Sequence, residues 1–166
     1  MAGRYIKAAR TVSGNVPRIT QRLYATGQTF KIGAIVIFDG GKNIIEASAT
    51  PTTAVGVAAE PPGTHPGFSP ANAAQTLVVT GAAQEVGVYD GNDDTIFSMR
   101  GVNGGTDPAV PVQANVGAKF GVIKDANGIW ALNIADTTNV MFEVVDIDIP
   151  NNIFFCKFLS SALVLP

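Results

Sequence analysis

Phe30-Lys-Ile-Gly-Ala-Ile-Val-Ile-Phe38, Asp39-Gly-Gly-Lys42, the run 43–49, Thr50-Pro-Thr-Thr53 and Ala54-Val-Gly-Val-Ala58 make up the stretch that decides the fold. Three short apolar runs rich in β-branched residues are separated by turn chemistry, the pattern of an antiparallel meander. In the first run Ile32, Ala34, Val36 and Phe38 fall on one face and Ile35 and Ile37 on the other. A strand apolar on both sides must be covered on both sides. The rest of the chain, or neighbouring subunits, has to supply that cover.

Working outward, the chain has 166 residues, enough for one ordinary domain or two small ones without disulfides. Hydrophobic residues make up 46% and charged residues 14%, against roughly 25% charged in ordinary soluble domains. So weakly charged a surface predicts subunit contacts. The longest apolar runs have strand length, and the amino terminus lacks the apolar core of a signal peptide, so the expectation is a protein made in a cytoplasm, without a membrane partner. Charge is divided along the chain. Arg4, Lys7, Arg10, Arg18 and Arg22 precede the first acid, Asp39, so residues 1–22 carry +5 and the remainder, with six bases against thirteen acids, −7. A basic arm on an acidic body is the pattern of an interaction tail.

Gly3, Gly14, Pro17 and Gly27 interrupt residues 1–27, and their apolar residues (Tyr5, Ile6, Val12, Val16, Ile19, Leu23 and Tyr24) keep neither helical nor strand period for long. The reading is an extended arm, residues 1–26, that orders on a partner. Nucleic acid is not expected as that partner, because no helix-turn-helix, zinc-finger or aromatic RNA-binding motif accompanies the bases. Residues 27–84 and 85–166 read as two β modules, or as one elongated barrel-like or sandwich-like body, with little helix. Within them, 75–80, 85–89, 95–99, 140–149 and 153–159 are strand candidates. Residues 118–124 and 129–134 make a hairpin about Asp125-Ala-Asn-Gly128, with Phe120, Val122, Trp130, Leu132 and Ile134 on its core face. The proline-rich 61–70 and glycine-rich 101–111 stretches read as exposed loops.

Little in the chain supports catalysis. His65, the only histidine, lies in the proline-rich loop, and Cys156, the only cysteine, lies in the apolar run Ile153-Phe-Phe-Cys-Lys-Phe158. Neither has partners for a triad or a zinc site, so no enzyme activity, cofactor or metal is expected. Asp90-Gly-Asn-Asp-Asp94 reads as a turn rather than a calcium loop, and Asp146 and Asp148 as one solvated strand face rather than an acid–base pair. From residue 158 onward no side chain is charged. Phe158, Leu159, Leu163, Val164 and Leu165 are therefore expected to be buried against the body or in an oligomer interface.

Gly27-Gln-Thr-Phe-Lys-Ile-Gly-Ala-Ile-Val36, Asp39-Gly-Gly41 and Thr50-Pro-Thr-Thr-Ala-Val-Gly-Val-Ala58 resemble the amino-terminal β module of tailed-phage head decoration proteins, also called cement proteins. Asn115-Val-Gly-Ala-Lys-Phe-Gly-Val-Ile-Lys-Asp-Ala-Asn-Gly-Ile-Trp130 and the run from Asp136-Thr-Thr-Asn-Val140 to Asp146 also look like segments of such proteins. The resemblance implies a non-enzymatic virion protein that trimerises on the outer surface of an icosahedral head and braces the major capsid protein. From charge, Arg4, Tyr5, Lys7, Arg10, Arg18 and Arg22 are the expected capsid contacts, and removal of residues 1–22 is expected to leave a folded body. The alternative is a receptor- or glycan-binding β module using the 61–70 and 101–111 loops.

Overall fold

The computed structural model describes residues 5–62, 84–105 and 107–164. The strand candidate at 75–80, His65, Phe68, Arg4 and Leu165 lie outside them. Thirteen strands run in chain order among the described residues: β1 (Lys7–Thr11), β2 (Ile19–Tyr24), β3 (Ile35–Phe38), β4 (Ile44–Glu46), β5 (Gly56–Ala58), β6 (Gln84–Asp90), β7 (Thr95–Met99), β8 (Gly101–Val102), β9 (Pro108–Ala109), β10 (Lys119–Lys124), β11 (Trp130–Asn133), β12 (Phe142–Asp148) and β13 (Ile153–Phe158). Two three-residue 3-10 turns, Gln113–Asn115 and Ser160–Ala162, complete the regular structure of the described residues. The fold is all-β, as the patterning predicts.

The opening stretch departs from the expected meander in two ways. Gly33 takes a left-handed φ of +79°, and the Ala34 N–H donates to the Lys31 carbonyl at 3.1 Å. The chain therefore turns at 31–34 and the strand starts at Ile35, which leaves Ile32 partly exposed. Further on, β5 does not pair with β4. β3 lies between them, with Val36 opposite Glu46 on one side and Gly56 on the other. Ile35 and Val36, neighbours that point to opposite faces, are both fully buried, so the two-sided cover that the apolar run demands is present. Five strands then close a small barrel in the order β2-β4-β3-β5-β6.

An eight-stranded sheet holds the rest, in the order β1-β7-β13-β12-β10-β11-β8-β9. β7 and β8 are consecutive in the chain, with only Arg100 between them. β7 pairs with β13 and β8 with β11, so the sheet curls until its ring is joined through the chain itself at Arg100. The predicted hairpin is present as β10 and β11, with Val122 opposite Leu132 and Lys124 opposite Trp130. Gly128, at φ +72°, makes its reversal. The 101–111 stretch, read as a loop, instead contributes the two short strands β8 and β9, paired Gly101 to Ala109 and Val102 to Pro108.

The two rings share one core. Phe97 stands edge-on to Tyr89 of the barrel at 6.3 Å and to Phe142 and Phe158 at 6.2 and 5.5 Å between ring centroids. A continuous buried cluster runs from Val36, Val57 and Val88 to Phe154, Trp130 and Leu132. The expected module boundaries are corrected accordingly. β6 crosses the 84/85 division and closes the barrel, while β1 joins the second sheet and β2 the first. The chain starts in one ring, builds the other, and returns.

Candidate partner-binding face

Residues 7–24, read from the sequence as a free arm, are held in place by the body. Ile6 is buried, and its backbone lies against Gly33. A Cβ built on Gly33 would stand 2.7 Å from the Ile6 carbonyl oxygen and 2.8 Å from its nitrogen, so only glycine admits the segment there. β1 then pairs antiparallel with β7, with a bulge between Ala8 and Arg10, and forms the end of its sheet. β2 pairs along its whole length with β6, from Ile19 opposite Tyr89 to Tyr24 opposite Gln84.

The acids of the body explain why the basic segment docks. Arg10 Nη2 donates to Asp146 Oδ2 at 2.8 Å, and its guanidinium lies over the Phe155 ring at 5.3 Å. The Arg10 hydrogen bond, helped by the Ile147 N–H, holds the Asp146 carboxyl below the usual range. Asp94 accepts from the Ser13 N–H at 2.8 Å and from its hydroxyl at 2.7 Å, which pins the β1–β2 connection. Asp90 gathers three donors. Arg22 reaches its Oδ1 through Nε at 3.2 Å and Nη2 at 2.6 Å, the Thr20 hydroxyl donates to Oδ2, and Arg18 Nε stands 3.6 Å from Oδ2. Arg22 and Asp90 are largely buried, and Arg22 also lies 5.5 Å over the Phe38 ring. Beside this pair a cleft of about 330 Å³ is lined by Arg18, Arg22, Asp90, Val55 and Val164.

The expected contact residues therefore separate. Lys7 is exposed, and Arg18 is 77% exposed. Arg10 remains half exposed but paired, while Arg22 is a structural cation rather than a surface one. Tyr5 is half buried and lines a different cleft. Between the basic side chains stand the exposed apolar ones, Val12 at 66%, Val16 at 88%, Ile19 and Leu23. Along β2, Ile19, Gln21 and Leu23 alternate outward while Thr20, Arg22 and Tyr24 are more buried, the reverse of the usual apolar-in pattern. Sequence reasoning missed Asp90, Asp94 and Asp146 as the groups that hold this segment. Their signal was the opposite net charge of the two parts of the chain.

Of the two places expected for the apolar tail, its described residues take the first, against the body. Phe158 is fully buried on β13, 4.2 Å from the Phe142 ring centroid, and is unavailable to another subunit. The Ala54 N–H donates to the Ala162 carbonyl and the Val164 N–H to that of Ala54, at 2.8 and 2.9 Å, so the tail adds to the body beside β5. Leu159 and Leu163 pack against the core; Val164 stays 43% exposed.

Those groups weighed for chemistry that lie among the described residues have structural occupations. Cys156 is fully buried, and burial pushes its thiol pKa up, away from reactivity. Asp148 accepts from the Asn151 N–H and side-chain amide in the turn to β13, and Val145 is bulged out between Val144 and Asp146. In the acidic turn, Asn92 Oδ1 accepts from the Asp94 and Thr95 N–H groups. Among the described residues no three His, Cys, Asp or Glu side chains converge as a metal site would require, and no helix is long and apolar enough to cross a membrane. Comparison of the chain with protein-family models, curated proteins and solved structures found no match.

Proposed function

We propose that this chain is a decoration, or cement, protein that binds the outer surface of an assembled icosahedral phage head and braces neighbouring copies of the major capsid protein. The observation that carries the reading is the docked N-terminal segment. It presents exposed Lys7 and Arg18 with exposed Val12, Val16, Ile19 and Leu23 on a segment paired to the body. Cations interleaved with apolar side chains suit an acidic groove with an apolar floor, and a preorganised face binds without the cost of ordering an arm. The segment likeness to head decoration proteins supports the same assignment.

The mechanism is mechanical. A protein that binds the assembled shell and not its free subunits draws the equilibrium toward the shell by mass action. Repetition of modest contacts over a symmetric surface, with self-association as a trimer, raises their combined strength. Val164, which lines the cleft at Arg18 and stays exposed, is the apolar tail residue free for such a subunit contact. The partners are protein alone, with no nucleic acid, membrane or cofactor in the mechanism.

The test is co-sedimentation of the purified protein with empty phage heads, alongside a glycan array and a mass measurement in solution. Saturable binding to heads with no glycan hit supports the reading, and a trimeric mass supports its avidity. Glycan binding without head binding would overturn it in favour of a receptor-binding module.

A further inference from the structure

Away from the N-terminal face, a cleft of about 420 Å³ is walled by Tyr5, Lys31, Arg100, Asp125, Asn127 and Ile129. It sits where the second sheet is joined through the chain at Arg100, against the turn of the β10–β11 hairpin. Its carboxylate and the Asn127 backbone carbonyl are already engaged. Asp125 Oδ1 takes the N–H groups of Asn127 and Ile129 at 2.9 and 2.8 Å, Oδ2 takes Arg100 Nη2 at 2.5 Å, and the Asn127 carbonyl takes Lys31 Nζ at 2.6 Å.

Donors remain. Arg100 Nε is buried and has no hydrogen-bond partner among the described residues, an expensive state for a guanidinium N–H. Lys31 uses one of its three ammonium hydrogens on Asn127, and Tyr5 brings a phenol. Burial works to raise the Asp125 pKa, but the Ile129 and Asn127 N–H groups and Arg100 outweigh it and hold the carboxyl below the usual range. Two cations against one carboxylate leave the cleft a single positive charge.

We infer that this cleft binds a carboxylate, supplied by a small organic acid or by the acidic side chain of a partner chain. Lys31 is the anchor, through the two ammonium hydrogens it does not spend on Asn127, and the Arg100 guanidinium held by Asp125 completes the charge. A volume of this size accommodates a small ligand. One net positive charge favours a monoanion over the dianion of phosphate. The inference stands apart from the capsid assignment, since it concerns a different surface and needs no phage head.

The Arg100 Nε–Hε resonance in ¹H–¹⁵N spectra of the full chain, from a covered N–H beside the cleft, reads a charge arriving there. The probes are sodium glutamate, the capped peptide acetyl-Gly-Glu-Gly-amide, inorganic phosphate, and sodium chloride at matched ionic strength. The expected result is a saturable shift with glutamate or the peptide, with affinity about ten-fold weaker in Lys31→Met, whose remaining spectrum reports an intact fold. Tighter binding of the peptide assigns a partner's side chain, and tighter binding of glutamate a free acid; either supports the cleft. No saturable shift, an equal response to chloride, a preference for phosphate, or unchanged affinity in Lys31→Met would overturn it.

Discussion

The Ile6 backbone rests on the bare Cα of Gly33, so closely that a Cβ there would lie 2.7 Å from the Ile6 carbonyl oxygen. This contact converts a segment that reads as a tail into part of the body, because the buried Ile6 side chain starts β1 in register against β7. Gly33→Ala combines this clash with a left-handed φ of +79°, which alone costs about 1–2 kcal/mol for a residue with a Cβ. The expected outcome is a loss of at least about 2 kcal/mol in urea unfolding, with earlier proteolytic cleavage between residues 5 and 18.

Trp130 is buried, and its indole N–H donates to Glu46 Oε1 at 3.0 Å, joining the β10–β11 hairpin to the barrel. Lys124 Nζ holds the other Glu46 oxygen at 3.0 Å and lies 5.9 Å from the Trp130 ring. Trp130→Phe keeps most of the packing and loses the donor, for a cost of about 1–3 kcal/mol. Trp130→Ala loses both, for about 3–5 kcal/mol. Chemical denaturation followed by circular dichroism separates the two values.

Acid should unfold the protein through specific carboxylates. Asp39, Asp125, Asp136 and Asp146 all have folded-state pKa values lowered from the ordinary one. For Asp39 and Asp136 the leading causes are hydrogen bonds from the backbone N–H groups of Asn43 and Asn139. A lowered folded pKa contributes stability that is complete above the unfolded value, about 3.9, and is lost as pH falls through the folded one. Stability is expected to be level from neutral pH to about pH 5 and to fall below about pH 4. Asp125→Asn should be less stable at neutral pH, with the gap to wild type closing as pH falls. A gap that stays constant down to acid unfolding contradicts this.

Much of the fold was legible because most strands are bounded by turn chemistry the chain states openly. Asp39 accepts from the Gly41 and Asn43 N–H groups, Asp136 from those of Thr138 and Asn139, and Asp125 closes its own turn. The paired faces of β10 and β11 followed from period two. What was not legible was non-local. β2 turns Ile19 and Leu23 outward and Thr20 and Arg22 toward the body, so its alternation carries no core signal until Asp90 is known to receive Arg22. Nor does local patterning tell β5 to pair with β3 and β6 instead of β4. Charge marked out the basic segment, but net charge cannot distinguish a cation that a body acid will take, such as Arg22, from one left exposed, such as Arg18.

Because β1 and most of β2 lie within residues 1–22, truncation there removes strands from both rings and tests folding rather than binding. The most direct measurement of the central claim is co-sedimentation with empty phage heads using the full chain carrying Lys7→Glu and Arg18→Glu, two exposed positions, compared with wild type at equal thermal stability. The account predicts that the reversed charges weaken head binding at least about ten-fold and that added salt weakens wild-type binding in the same direction. Undiminished binding by the doubly substituted protein would contradict it.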